Sequence, residues 1–432
     1  MAFGAIPNDN STEGCLANSK ALVQAMTSAN SSIEDRVALV PGGFENFYFL
    51  PVEFTYLKDV KLEINSRLVL SNNFTDYSDF TPGNAAIQFS EGRNVTLFGT
   101  GTVDGQGFVW WVAQILNGAN RPHLVRFHQC LDIIIYGLSF LNSPKFHIKL
   151  DDVAHVHIHD ISIFVDDRVE EIHEMLRVKR GVNALGGIVS EIPQIWDLNT
   201  DGIDPNGKDV LIENIYIQNY DDGVAVKPGS SSDKFNGACS QDMLIRNIST
   251  HFTVGMTIGS VPTGTNVPCV RNITFTDVSM YQPLKGIYIK TDPGNTGHAI
   301  VDSITYRRFH MEEALWYAIW IGPQQMAEPH GVNDGCSFLY PIDKRCPSQP
   351  RVPYSNIYLQ DINMVRGLLL PGVLLCNQTT WNDPHSPSCT GFVFENVSNS
   401  GEFIIQKDYV CEYVIGTSKN SVPDPGFQKS AR

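Results

Sequence analysis

Short apolar runs, each broken by one polar residue and followed by a second short run, recur through this chain. Val210-Leu211-Ile212-Glu213-Asn214-Ile215-Tyr216-Ile217 is followed by Met243-Leu244-Ile245-Arg246-Asn247-Ile248, Ile273-Thr274-Phe275-Thr276-Asp277-Val278 and Ile357-Tyr358-Leu359-Gln360-Asp361-Ile362. Earlier copies stand at Val95–Gly99, Ile133–Phe140 and Val156–Ile163. The polar break falls at Asn214, Asn247 and Asp277, with Arg308 in the matching place of the next unit, at intervals of 33, 30 and 31 residues. A repeat of this length built from strands cannot bury its inward face alone, so successive copies stack and share a core. The β-branched residues suit stacked parallel strands. The expected fold is therefore all-β, a single-stranded right-handed parallel β-helix. It is read as one domain over residues 1–432, with the solenoid at about 35–415. A β-sandwich competes, but it would place turns every ~8–12 residues and would not repeat one unit so regularly.

Two stretches leave the pattern. Asp166–Arg180 reads as an amphipathic helix, with Val169, Ile172, Met175 and Leu176 on one face. Its acids lead and its bases finish, which complements the helix dipole. Together with the glycines that follow, it forms an expected insertion at about 166–187. The tail from about Ser418 is polar and is expected to fray.

With 46 acidic against 31 basic residues, the formal net charge is −15. That balance argues against nucleic acid as a partner, which needs a positive surface. No apolar run is long enough to cross a membrane. Eight N-x-[ST] sequons, at Asn10, Asn30, Asn73, Asn94, Asn247, Asn272, Asn377 and Asn396, lean towards a secreted glycoprotein. The competing explanation is that asparagine is common at β-turns. Nine cysteines show no zinc-like spacing, and the close pairs Cys336/Cys346 and Cys376/Cys389 sit in loop-like stretches as disulfides do. The start, Met1-Ala2-Phe3-Gly4, lacks the charged and apolar regions of a signal peptide. The expected protein is a monomer, without metal or cofactor.

The densest carboxylate signal is Asn199-Thr200-Asp201, followed one strand–turn–strand unit later by Asp221-Asp222-Gly223. Segments one coil apart in a β-helix lie about 4.8 Å from each other, so these aspartates are expected to form one patch on the outer surface. Crowded carboxylates repel, and one of them then holds a proton more readily. A protonated carboxyl beside an ionised one is what general acid–base cleavage of a glycosidic bond requires. Aspartates that merely cap turns are the bland alternative.

These segments resemble glycoside hydrolase family 28, the polygalacturonase and rhamnogalacturonase type of pectinase. The family's Asn-Thr-Asp and Asp-Asp motifs match at Asn199–Asp201 and Asp221-Asp222. Val40-Pro41-Gly42-Gly43, Gly99–Gly107 with Trp110-Trp111, and Asn142-Ser143-Pro144-Lys145-Phe146-His147 match its other elements in order, and the likeness runs over about 35–365. The resemblance implies an inverting hydrolase of a pectic polysaccharide. Asp221 is then the general acid, while Asp201 and Asp222 hold and deprotonate water, with Asn199 beside them at the substrate. Two motifs depart from the pattern. Val254 replaces the histidine of Gly-His-Gly, with His251 three residues earlier, and Tyr288 replaces the arginine of Arg-Ile-Lys while Lys290 is kept. A lone lysine lacks the bidentate fork of arginine, so a rhamnogalacturonan or another substituted chain is an option beside polygalacturonan. Lys227, in Val226-Lys227-Pro228, resembles a stretch of exo-acting members, and with the insertion it favours exo-action. Tyr288, Lys290, Lys227 and His251 are candidate sugar contacts, and Trp196, Trp316 and Trp320 are candidate stacking platforms. Three other readings stay open: a pectate-lyase-like enzyme using Ca²⁺, a non-catalytic carbohydrate-binding protein, and a structural solenoid.

Overall fold

A computed structural model describes residues 2–73, 77, 84–117, 120–166, 199–235, 237–262, 266–293, 298–325, 335–337, 340–346 and 351–428. The insertion expected at 166–187, apart from its first residue, and Trp196 lie outside the described residues. The chain forms two compact units, one made of residues 1–204 and 212–220, the other of 205–211 and 221–432. The fold is the expected right-handed parallel β-helix: every strand pairing described is parallel, apart from one isolated bridge between Gly229 and Cys269.

In the first unit, Lys58–Ile64, Arg93–Phe98, Leu131–Tyr136 and Ile148–Phe164 stack in register, so that Val60, Val95, Ile133 and Val156 form one column and Leu62, Leu97, Ile135 and Ile158 the next. All are buried. In the second unit, Cys239–His251, Cys269–Tyr281, Ile300–Glu312, Tyr354–Val365 and Cys389–Ser400 do the same, with Ile245, Phe275, Tyr306, Leu359 and Phe394 as one inward column. A second row, Val224–Val226, Met256–Val261, Ile287–Thr291 and Ile319–Pro323, carries the column Val226, Ile258, Ile289, Ile321.

The polar breaks mark where the backbone turns. Asn214, Asn247, Asp277 and Arg308 all have φ between 53° and 59°, the left-handed region. Asn and Asp tolerate that region because a short polar side chain can bond locally. Here it bonds to the neighbouring coil: Asn272 Nδ2 donates to Asp242 Oδ1 at 2.5 Å, Asn94 to Asp59 at 2.8 Å and Asn396 to Asp361 at 2.8 Å. In five coils a second left-handed residue stands five positions before the break, in the pairs Asp209/Asn214, Asp242/Asn247, Asn272/Asp277, Ser303/Arg308 and Asn356/Asp361. Four of the eight sequon asparagines, Asn94, Asn247, Asn272 and Asn396, are such turn residues, so half of that signal has a structural cause.

Two helices were not anticipated. Helix α1, Thr12–Ser31, is capped by Ser11, whose Oγ accepts from the amide of Gly14. It buries Leu22, Met26 and Ala29 and ties itself to the first coil through Asn18 Nδ2 to the Tyr48 carbonyl (2.8 Å) and Ser19 Oγ to the Leu50 carbonyl (2.9 Å). A covered edge cannot recruit another strand. Helix α2, Gly107–Asn117, carries the buried pair Trp110 and Trp111. The fraying expected after Ser418 is corrected: Gln428 exchanges backbone bonds with Val414 and Gly416, and Phe427 packs at 4.9 Å from the Phe394 ring. One aromatic residue holds a polar segment that composition alone reads as loose. Both expected disulfides form, and Cys239–Cys269 is a third. No described helix is long and apolar enough to cross a membrane.

Candidate active site

Within the second unit, Asp221 and Asp222 lead into Val224–Val226, and the coil that follows fixes them. Val254 donates its amide to the Asp221 carbonyl at 2.7 Å, and Gly223 donates to that of Gly255 at 2.9 Å. The Asp222 amide also bonds Asp221 Oδ1, at 2.7 Å. Asp222 is 1 % exposed, and each of its oxygens has a donor: Thr257 Oγ1 to Oδ1 at 2.6 Å, and Lys290 Nζ to Oδ2 at 3.0 Å. Thr257 and Tyr288 are register partners, and Lys290 lies two residues beyond Tyr288 on the same strand face. Burial, and then the charge of Asp222, pushes the Tyr306 phenol well above its ordinary range.

Tyr288 is fully enclosed. Its ring lies 4.0 Å from Lys285 Nζ and 4.8 Å from Lys290 Nζ, a cation–π contact with each ammonium. Lys285 is itself fully buried. Gly255, kept from the Gly-His-Gly pattern, is required sterically, since a Cβ there would stand 2.6 Å from the Lys285 carbonyl oxygen. Val254 is buried. His251 stacks on Phe252 at 4.0 Å and Tyr281 at 5.2 Å, and Lys227 Nζ donates to the Gly259 carbonyl at 3.1 Å. Trp316 and Trp320 do not offer their faces to a sugar. Both are buried, and Trp320 donates its indole N–H to the Pro323 carbonyl at 3.0 Å.

Asp201 is positioned within the first unit. Helix α2 supplies Trp111, whose indole N–H donates to the Ser143 carbonyl at 3.1 Å, and so fixes the segment Asn142–His147. His147 then holds the backbone of Asp201 twice, through its amide at 2.9 Å and through Nδ1 at 3.1 Å. The Ser143 amide donates to His147 Nε2 at 3.3 Å, so Nδ1 is the protonated nitrogen of a neutral ring. Burial drives its pKa down to about 4, although the carbonyls of Asp201 and Thr200 push the other way. Asn199 sits at φ 48°. Thr200 is locked by Oγ1 to the Asn219 carbonyl at 2.5 Å and by Asn219 Nδ2 to its own carbonyl at 3.1 Å. Asp201 is 4 % exposed.

Thr257, Lys285 and the clamping role of His147 were not singled out from the sequence. Thr257 and Lys285 belong to no motif; Thr257 meets Asp222 through coil register, while Lys285 stands three residues before Tyr288. Lys290 and Thr257 already satisfy both oxygens of Asp222, and an ammonium at that position disfavours a divalent cation.

The family model for Glycosyl hydrolases family 28 matches residues 45–332. The probable exopolygalacturonase C of Aspergillus niger is 25 % identical over 423 residues, covering 91 % of this chain and 84 % of that protein. Among solved structures, polygalacturonase from Erwinia carotovora ssp. carotovora superposes with a TM-score of 0.63 at 20 % identity, covering 95 % of each chain. The endo-xylogalacturonan hydrolase from Aspergillus tubingensis gives 0.58 at 18 % identity, over 93 % of this chain and 87 % of that one.

Proposed function

Since the chain belongs to glycosyl hydrolases family 28 and is a glycoside hydrolase of the polygalacturonase type, we propose that it cleaves a pectic polysaccharide with inversion, using Asp221 as general acid and Asp201 with Asp222 to hold and deprotonate the attacking water. The observation that carries this division of labour is the pinning of Asp222 between Lys290 and Thr257. Both oxygens of Asp222 already accept a donor, which suits it to hold and deprotonate water and leaves proton donation to its neighbour Asp221. In the reaction Asp221 gives its proton to the glycosidic oxygen as that bond breaks, water attacks the anomeric carbon from the opposite face, and the water's proton passes to a carboxylate.

On this reading Lys290 serves Asp222 first, and Tyr288 separates two buried ammonium groups instead of touching sugar. Lys227 and His251 belong to the second unit's part of the substrate path, and Asn199 to the first unit's. The replacements at Val254 and Tyr288 favour a substrate that differs from plain polygalacturonan at the sugar these residues would face. The name of the Aspergillus niger relative supports exo-action. Secretion, a monomeric state and action as a single catalytic domain complete the proposal, and none of its steps calls for a metal.

The test is a reducing-end and product-size assay on polygalacturonan, rhamnogalacturonan, xylogalacturonan and a non-pectic control, with and without chelator. Saturated products, insensitive to chelator and of inverted anomeric configuration by proton NMR at early times, are expected from one pectic substrate. Monomers or dimers from the first minutes would mark exo-action. Ultraviolet-absorbing unsaturated ends would make the enzyme a lyase and overturn the reading.

A further inference from the structure

Arg121, Arg126, Lys145 and Lys149 are four cationic side chains of the first unit, on or just before the strands His123–His128 and Ile148–Phe164, within a chain of formal charge −15. Arg126 and Lys149 are register partners on adjacent strands, and both reach Asp151, at 2.6 and 3.3 Å. Arg121 is 7 % exposed and donates Nη1 to the Pro144 carbonyl at 3.0 Å, one residue before Lys145. Lys145 itself is half-buried, its ammonium 5.3 Å from the Phe146 ring. Among the described residues it forms no ion pair. Burial, and then Arg121 and Lys149, pull its pKa down, while Asp201 and Asp204 pull it up.

His123 opens the strand that carries Arg126. It is 2 % exposed, packs against Phe146 at 4.7 Å, and its Nδ1 has no hydrogen-bond partner among the described residues. Burial and then Lys149, Lys145, Arg126 and Arg121, in that order, push its pKa well down. A surface lysine that merely solvates itself needs none of this. A half-buried ammonium that forms no ion pair among the described residues keeps its charge available to an incoming anion.

We propose that Lys145, backed by Arg121 and Lys149, forms a subsite that takes a uronate carboxylate of the substrate on the first-unit side of Asp201. The inference rests on the pectic reading above and names what that substrate carries. The cation stands in the variable place of Asn-Ser-Pro-x-Phe-His.

The experiment is equilibrium binding of trigalacturonate, and of its neutral methyl ester, to the full chain carrying Asp221→Asn, with and without Lys145→Met. Lys145→Met is expected to weaken the acid trimer about tenfold, with the ester bound alike by both proteins and Lys145→Arg restoring most of the acid's affinity. In turnover, Lys145→Met should raise KM on the pectic polymer the enzyme cleaves by a similar factor while the pH profile of kcat stays in place. Unchanged binding of the acid trimer, equal losses for acid and ester, or a displaced kcat profile (which would make Lys145 a positioning residue for Asp201) would each overturn the proposal. If the wild-type protein cleaves no pectic polymer, the proposed function fails, and the binding comparison still decides the subsite.

Discussion

Removing one partner of the Asp222–Lys290 pair leaves the other charge buried and uncompensated. Such a loss costs about 3–5 kcal/mol in a closed interior, more than the lost attraction alone. Lys290→Met should therefore lower the unfolding free energy, read from urea melts, by an amount in that range as well as slow catalysis, and a variant that slows catalysis with full stability would place Lys290 on the substrate instead. Asp221→Asn makes the opposite pattern. An amide fills the same space and cannot give up the proton, so turnover should fall by about 10²–10⁴ with an unchanged unfolding curve. Wild-type rates would remove Asp221 as the acid. His147 sets a third expectation. Its folded pKa of about 4 lies below the ordinary 6.5, so the neutral ring contributes stability that is complete above pH 6.5 and is lost as pH falls towards 4. The full loss is about 3 kcal/mol. Unfolding free energies measured at pH 7 and pH 4 should show it, and His147→Gln should flatten that slope. An equal slope in the variant would assign it to other groups.

At the scale of the element, each coil depends on two left-handed turns. Asn272 has φ 52° and bonds Asp242. Asn272→Ala keeps neither the local bonding nor the tolerance for that region, and about 1–2 kcal/mol should be lost. Asn272→Gly should recover part of it. Urea melts of the pair check this, and an alanine variant more stable than the glycine one would contradict the turn argument. These turns are also why the fold was legible in the sequence. Asn214, Asn247, Asp277 and Arg308 repeat because backbone sterics demand it, and apolar alternation between them reports the inward face directly. Helix α1 was not legible for the reverse reason: its buried side is built from Ala21, Leu22, Met26 and Ala29, too slight a stripe to stand out. The site divided in the same way. Asp201, Asp221 and Asp222 announce themselves as a dense local cluster. Thr257 becomes visible only once register places it one coil from Asp222, and no local spacing encodes that.

Across the whole molecule, a coil is stabilised by its neighbours and by little else, so stability is expected to vary along the chain. The last coil leans on Phe427 against Phe392 and Phe394. Phe427→Ala should speed hydrogen exchange in Cys389–Ser400 and Val414–Lys419 while leaving the amides of Lys58–Ile64 as they were. Uniform acceleration would mean the chain opens as one cooperative body. The fixed five-position gap between paired left-handed residues has a further consequence. It works like the reading frame of a printed stave: notes can be crowded in or dropped between staves, but a stave with a line added no longer aligns with the next. Insertions and deletions should therefore be tolerated almost anywhere in a coil except inside those intervals, and a random insertion library selected for folding should return a map of silent stretches, one per coil, at the positions those turns define.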